Sequence, residues 1–336
     1  MKEITDYSLL NHNTFGINAR CRRFVEFASD EEASEVARGL TEPYIIIGGG
    51  SNLLLTRDYE GTVVHSAIKG VTQLDEEKAG EVRVRVGSGE TWDELVEGFV
   101  GRGWYGAENL SLIPGDAGAA AVQNIGAYGT EVCELIEKVE AVRIGDGEKV
   151  VIDAGECQYG YRQSRFKKEW RNRYLITHVV LRLHTTFRPR LDYGNIRAEL
   201  ERIGIEQPTA QQLRDVIIDI RKAKLPDPKI EGNAGSFFMN PIVGREKFEA
   251  LLKQYPAMPH YHVDDDHEKI PAGWMIDQCG WKGRSLGRAG VHDRQALVLV
   301  NRGGATGQEI VDLCQAVRAD VKARFGIEIH PEVNII

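Results

Sequence analysis

Three short stretches of this chain carry side chains whose types and neighbours suit proton transfer and carboxylate binding. The first is Gly232-Asn-Ala-Gly-Ser-Phe-Phe-Met-Asn-Pro241, downstream of Lys224-Leu-Pro-Asp-Pro-Lys229. Pro226 and Pro228 hold the approach extended, Gly235 permits close backbone approach at Ser236, and Phe237 and Phe238 can exclude water beside the hydroxyl. A dry, positioned hydroxyl can donate a proton or attack a carbonyl; the plainer alternative is a buried serine at a strand edge. The second is Tyr159-Gly-Tyr-Arg-Gln-Ser164, where Arg162 offers a planar fork of donors suited to a carboxylate. An isolated arginine would more often be a surface residue paired with a nearby acid. The third is Glu332 in His330-Pro-Glu-Val333. Its neighbours Val333, Ile335 and Ile336 suggest a partly buried strand, in which a desolvated carboxyl could donate a hydrogen bond.

Glycine loops add a second kind of chemistry. Gly48-Gly-Gly-Ser-Asn52 follows the apolar run Tyr44–Ile47, so its amides could form a nest for a pyrophosphate. It is not a Rossmann fingerprint, because Leu53 stands where the third glycine would be. Gly87-Ser-Gly89 has two of the glycines but Trp92 in place of the last, and Ser111-Leu-Ile-Pro-Gly-Asp-Ala-Gly118 forms a third glycine turn. Any one of these could be a plain tight turn; three in one domain favour a dinucleotide. His260-Tyr-His-Val-Asp-Asp-Asp-His267 contains potential metal ligands but reads as a hydrophilic loop, and no metal is assigned to it.

The elements that must position these groups alternate between strand and helix. Arg23-Phe-Val-Glu-Phe-Ala28 alternates as a strand, and Ser29-Asp-Glu-Glu32 reads as a capping box opening a helix to about Leu40. Tyr44–Ile47 reads as a short buried strand and Val82–Val86 as a half-buried one. The latter leads into a helix with Trp92, Leu95, Val96, Phe99 and Val100 on one face. A helix bearing Leu213, Val216, Ile217 and Ile220 must stop before Pro226. Beyond it come a helix at Ala272–Cys279, a strand at Leu297–Asn301, a long helix at Thr306–Phe325, and a final strand from Ile327 interrupted by Pro331. The pattern is α+β.

At 336 residues the chain is long enough for two domains. A net charge of -8 argues against a nucleic-acid partner. Five widely spaced cysteines favour free thiols in a reducing cytoplasm, and neither a signal peptide nor a membrane span is expected.

The stretch around Ser236 resembles the active-site segment of the bacterial UDP-N-acetylenolpyruvoylglucosamine reductases, in which the serine is the proton donor. Asn13-Thr-Phe-Gly16, Gly48-Gly-Gly-Ser-Asn52, Ile113-Pro-Gly115 and Gln123-Asn-Ile-Gly-Ala-Tyr-Gly129 are similar to that family's FAD-binding elements, and the likeness runs from about Asn13 to Glu332. It implies an FAD-binding domain of the p-cresol methylhydroxylase/vanillyl-alcohol oxidase type over residues 1–225, in two subdomains with a break near residue 67. A smaller α+β substrate-binding domain would cover 226–326, and residues 327–336 would form a strand returning to the active site.

The implied reaction uses non-covalent FAD and NADPH to reduce UDP-N-acetylglucosamine-enolpyruvate to UDP-N-acetylmuramate, for peptidoglycan precursor synthesis. The implied catalytic residues are Arg162, Ser236 and Glu332. FAD contacts are implied for Gly48, Gly49, Gly50, Ser51, Asn52, Ile113, Pro114, Gly115, Asn124, Gly126, Ala127, Tyr128 and Arg221. Contacts to the UDP-sugar are implied for Tyr193, Lys224, Asn240, Tyr261 and Gln295, with Tyr261 on a lid. Gln163 stands where some relatives carry aspartate and Met239 where some carry lysine. A monomer is expected. The competing reading is another FAD-dependent oxidoreductase of the same fold acting on a sugar or alcohol; no histidine or cysteine stands at an obvious flavin-attachment motif.

Overall fold

The computed structural model describes residues 1–74 and 80–336. Two compact units divide the chain, the first made of 1–7, 21–49 and 60–223, the second of 8–20, 50–59 and 224–336.

In the first unit the valine alternation acts as expected. Strand Glu81–Gly87 buries Val82, Val84 and Val86. It lies in a five-stranded antiparallel sheet ordered Lys149–Asp153, Ile136–Arg143, Tyr174–His184, Glu81–Gly87 and Val71–Gln73. Helix Trp92–Gly101 contributes Trp92, Leu95, Val96 and Phe99 to the core that includes those valines. A four-stranded sheet runs Lys2–Ser8, Arg20–Phe27, Tyr59–Ser66, Tyr44–Ile47, its last two strands parallel. Helix Asp30–Gly39 fills the space between the two sheets, since Ala33, Val36 and Ala37 share a cluster with Val25 and Val64 of one and Val142 and Leu175 of the other.

The start of that helix differs from a closed capping box. Ser29 Oγ accepts from Glu32 N at 3.2 Å, but Glu32 Oε2 accepts from Ala28 N at 2.7 Å, one residue outside the reciprocal position. Helices Ile196–Arg202 and Ala210–Lys224 bury Ile196, Leu200, Leu213, Val216, Ile217 and Ile220 together.

The second unit holds a four-stranded antiparallel sheet ordered Gly232–Asn233, Leu299–Asn301, Ala289–Val291, Ser285–Leu286. Helix Gly307–Phe325 buries Ile310, Leu313, Val317, Val321 and Phe325 and opens on a closed capping box between Thr306 and Glu309. Strand Leu299–Asn301 is shorter than expected, because residues 295–298 form a turn in which Val298 N donates to Gln295 O at 3.1 Å.

Two expectations are corrected. The stretch His260–His267 is not a loop: Tyr261–Asp264 and His267–Lys269 form an antiparallel hairpin continued by Ile242–Gly244. The tail from Ile327 is mostly irregular. Pro331 makes one bridge to Phe238, and only Asn334–Ile335 pair regularly, in parallel with Leu53–Leu54. Its apolar residues are not uniformly buried, since Val333 is 4% exposed and Ile335 41%. Among the described residues no helix is long and apolar enough to cross a membrane, and no group of three or more His, Cys, Asp or Glu is placed to hold a metal ion.

Candidate active site

The three glycine loops meet at the start of helix Ala117–Gln123. A Cβ on Gly48 would lie 2.8 Å from Ala119 Cβ, one on Gly49 3.2 Å from Asp116 Oδ1 and 3.4 Å from Gly115 Cα, and one on Gly118 2.8 Å from Ser88 Cβ. Gly118 N donates to Ser88 O and Ala117 N to Glu90 O, both at 2.9 Å. Close packing therefore requires glycine at Gly48 and Gly118, while a side chain at Gly49 would need Asp116 to give way slightly. Gly50 has a different reason: its φ is +67°, and a Cβ there would fall 1.9 Å from the carbonyl oxygen of His12. Its own carbonyl accepts from Thr14 N at 3.1 Å, which docks the Asn13-Thr-Phe-Gly16 stretch.

His65 belongs to the same cluster and has no local sequence signal. Its Nδ1 lies 3.0 Å from Glu26 Oε2 and its Nε2 3.7 Å from Asp116 Oδ2. Burial alone would lower the imidazole pKa, but Asp116 and Glu26 together outweigh it and hold the pKa above its ordinary value.

Ile113-Pro114-Gly115 is set by a buried ion pair that sequence reasoning missed. Arg214, on helix Ala210–Lys224, donates from Nη1 to Asp93 Oδ1 at 2.6 Å and from Nη2 to Oδ2 at 3.2 Å. Asp93 Oδ1 also accepts from Leu112 N at 2.5 Å. Leu112 has a φ of +58°, so the carboxylate fixes a left-handed residue immediately before the motif.

Left-handed residues recur through this part of the first unit. Asn124 and Tyr128 have φ of 49°, Gln158 47° and Arg162 54°. Such backbone costs about 1–2 kcal/mol per non-glycine residue and needs surrounding support. Asn124 supplies much of it. Its fully buried side chain donates to Glu131 Oε2 at 3.0 Å and Gly160 O at 2.9 Å, and accepts from Cys133 N at 3.1 Å. Its backbone N–H in turn donates to Ala120 O. Arg162 donates from Nη1 to Asn124 O at 3.3 Å and from Nη2 to Gly126 O at 2.6 Å, with Tyr161 stacked on the guanidinium at 5.4 Å. The structure thus joins Asn124, Gly126 and Arg162, and Ala127 follows on the short strand Gly126–Ala127.

Arg221 lies near Tyr128. Burial lowers its pKa from the ordinary arginine value, against the pull of Tyr128 and Asp93 and aided by Arg162. Its Nε is buried with no hydrogen-bond partner among the described residues. A buried cationic donor awaiting an acceptor fits an electron-rich, anionic group such as a reduced flavin. Tyr193 is 44% exposed and packs on Gly129, whose Cβ would lie 3.3 Å from that of Tyr193.

In the second unit, Ser236 is half-buried in an extended stretch held on both sides. Phe237 N donates to Leu297 O at 2.8 Å, Glu332 N donates to Phe237 O at 2.8 Å, and Met239 N donates to His330 O at 3.0 Å. Glu332 is therefore joined by a main-chain hydrogen bond to the residue that follows Ser236. Phe237 and Phe238 are fully buried, their rings 5.1 Å apart. Gly235 has a φ of +68° and open space where a Cβ would stand, so backbone conformation rather than close approach requires glycine there.

Asn240 Oδ1 accepts from Ala272 N at 2.9 Å at the start of helix Ala272–Gln278. Gln295 Oε1 would lie 3.2 Å from a Cβ on Gly273 of the same helix. Asn52 Nδ2 reaches Glu332 O at 3.4 Å, and its carbonyl accepts from Asn334 N at 3.2 Å, so the end of Gly48-Gly-Gly-Ser-Asn52 and the tail are joined. Tyr261 stands 44% exposed on the hairpin with Lys269 Nζ 5.8 Å from its ring centre, and Lys224 is exposed. Ser51 and Pro114 fall within the loops already described.

Comparison with known proteins shows the family and the fold. Residues 22–153 match the FAD binding domain family, and residues 227–336 match the C-terminal domain of UDP-N-acetylenolpyruvoylglucosamine reductase. A protein of that name from Bacteroides fragilis (strain YCH46) is 58% identical over 98% of this chain and 99% of its own length. One from Burkholderia multivorans is 45% identical over 98% of this chain and 95% of its own. The crystal structure of UDP-N-acetylenolpyruvylglucosamine reductase from Thermus caldophilus aligns with a TM-score of 0.67 and 22% identity, covering 99% of this chain and 98% of that one, which shows a shared fold.

Proposed function

Since this chain belongs to the family of UDP-N-acetylenolpyruvoylglucosamine reductases, flavin oxidoreductases of peptidoglycan precursor synthesis, we propose that it uses NADPH to reduce UDP-N-acetylglucosamine-enolpyruvate to UDP-N-acetylmuramate. FAD, held by the residues named below, would supply the hydride chemistry that links NADPH to the terminal carbon of the enol ether. Negative charge then builds on the adjacent carbon and its carboxylate. Arg162 pairs with that carboxylate and Glu332 stabilises the enolate, the type of electrostatic help that is usually the largest catalytic contribution. Ser236 protonates the enolate carbon to give the lactyl ether. Serine is a weak acid, so this step depends on a strongly basic acceptor and on support for the alkoxide from Lys224 and Asn240.

In this reading residues 1–225 chiefly hold the flavin, 226–326 the sugar nucleotide, and 327–336 carry Glu332. Gly48–Asn52, Ile113–Gly115, Asn124, Gly126–Tyr128 and Arg221 contact FAD; Tyr193, Tyr261 and Gln295 contact the substrate. The observation that carries the catalytic assignment is the Glu332 N to Phe237 O hydrogen bond at 2.8 Å, which sets Glu332 beside the Ser236 stretch.

Stopped-flow absorbance of the flavin tests the assignment. Ser236→Ala should leave FAD reduction by NADPH nearly intact while slowing turnover of the enolpyruvyl substrate by roughly 10²–10⁴-fold. Ser236→Cys, with a stronger acid of similar size, should recover part of the rate. Equal slowing of both half-reactions by Ser236→Ala would remove the serine from the chemistry.

A further inference from the structure

Tyr193 lies in an irregular stretch between Leu191 and helix Ile196–Arg202, and being 44% exposed it owes little of its position to burial. Its backbone support comes instead from a seam with the turn at Tyr128. Two Tyr-Gly pairs face one another. A Cβ on Gly129 would lie 3.3 Å from Tyr193 Cβ, and one on Gly194 would lie 3.6 Å from Tyr128 Cδ1; φ is +76° and +68° at the two glycines.

One side chain fastens both sides of this seam. Asn109, 3% exposed, donates both protons of its Nδ2, one to Tyr128 O at 2.8 Å and one to Arg190 O at 3.1 Å. Arg190 adds a second tie, donating from Nη1 to Glu134 Oε2 at 2.5 Å and reaching Thr130 Oγ1 at 3.4 Å.

We propose that Asn109 is a positioning residue for Tyr193, holding it ready for the sugar nucleotide by pinning residues 190–194 to the Tyr128–Gly129 turn. The inference rests on the reading of Tyr193 as a substrate contact. Removing the Asn109 amide leaves two carbonyls without their donor and frees the seam, so Tyr193 must be ordered at the expense of binding.

The test is a double-mutant cycle on the FAD-loaded protein, titrated with UDP-N-acetylmuramate and read by flavin absorbance. Asn109→Ala should raise the dissociation constant about three- to tenfold, the equivalent of one hydrogen bond. Tyr193→Ala should raise it at least as much. The double variant should match Tyr193→Ala alone, because a displaced tyrosine and a missing one are then equivalent. The FAD dissociation constant should change by a smaller factor.

Effects that multiply in the double variant would overturn the proposal, as would a loss of FAD affinity equal to that of the sugar nucleotide. Unchanged affinity in Tyr193→Ala is a separate result that would overturn the substrate contact and the proposal with it. Should Asn109→Ala fail to fold, Gly129→Ala displaces Tyr193 from the opposite side, and its cycle with Tyr193→Ala is read in the same way.

Discussion

Replacing Asp93 by Asn should unseat the turn before Ile113-Pro114-Gly115 without changing side-chain shape. The Arg214 side chain is 5% exposed and that of Asp93 26%, so the substitution strands a mostly buried guanidinium. Breaking one partner of a buried pair costs about 3–5 kcal/mol. The residual exposure of Asp93 and the acceptor oxygen kept by Asn reduce this to about 2–4 kcal/mol. For a unit of this size that corresponds to a fall in Tm of roughly 5–15 °C.

The Leu112 N–H also exchanges a charged acceptor for a neutral one, so FAD affinity should fall alongside stability. Scanning calorimetry with and without FAD, together with flavin fluorescence titration, measures both effects. Adding Arg214→Met removes the stranded charge, so the double variant should be more stable than Asp93→Asn alone. A Tm for Asp93→Asn within a degree or so of wild type would refute the reasoning, as would a double variant less stable than the single one.

Two further outcomes follow from the site. His65 has a pKa raised in the folded protein, so its stabilisation is fully present below about 6.5, the ordinary histidine value, and is lost as pH rises through the higher folded value. His65→Gln should therefore cost more Tm at roughly pH 6 than at roughly pH 9, and a cost independent of pH would count against the Asp116 and Glu26 pairing. Tyr261→Phe should weaken sugar-nucleotide binding by about 0.5–1.5 kcal/mol with a lesser effect on NADPH; stopped-flow titration showing no change in the oxidative half-reaction would remove Tyr261 from the lid.

Much of the local structure was legible because its causes are local. The spacing of Trp92, Leu95, Val96 and Phe99 acts within one or two turns of helix. The glycine loops were legible as a group, but not the reason for each glycine. Gly48 and Gly118 are required by segments that touch only after folding, and Gly50 by a carbonyl at His12.

The Asp93–Arg214 pair joins residues 121 positions apart, and nothing around either one marks it. The hairpin Tyr261–Lys269 was hidden by its composition, since five of its seven strand residues are charged or histidine and only Glu268 among the seven is buried. The tail looked like one strand because Val333, Ile335 and Ile336 are all apolar. Its regular pairing is confined to Asn334–Ile335, whose partner Leu53–Leu54 lies almost the full chain away.

The second unit's discontinuity has a consequence for biosynthesis. Its early pieces are docked by residues made much later: Asn301 Nδ2 donates to Phe15 O at 2.9 Å, Ile336 N donates to Leu54 O at 2.9 Å, and Thr56 N donates to Ile336 O at 2.7 Å. A Cβ on Gly307 would strike Leu55 O at 1.9 Å, so the long helix must settle directly onto that segment. At about 5–20 residues per second, translation from residue 59 to residue 336 takes roughly 15–55 s. Throughout that interval Phe15, Leu54 and Leu55, all fully buried in the finished protein, have no partner from the C-terminal part of the chain. A nascent chain that leaves the ribosome in this order offers a prolonged binding target to holdase chaperones, and removing Ile336 would leave the Leu54–Thr56 backbone without these two bonds.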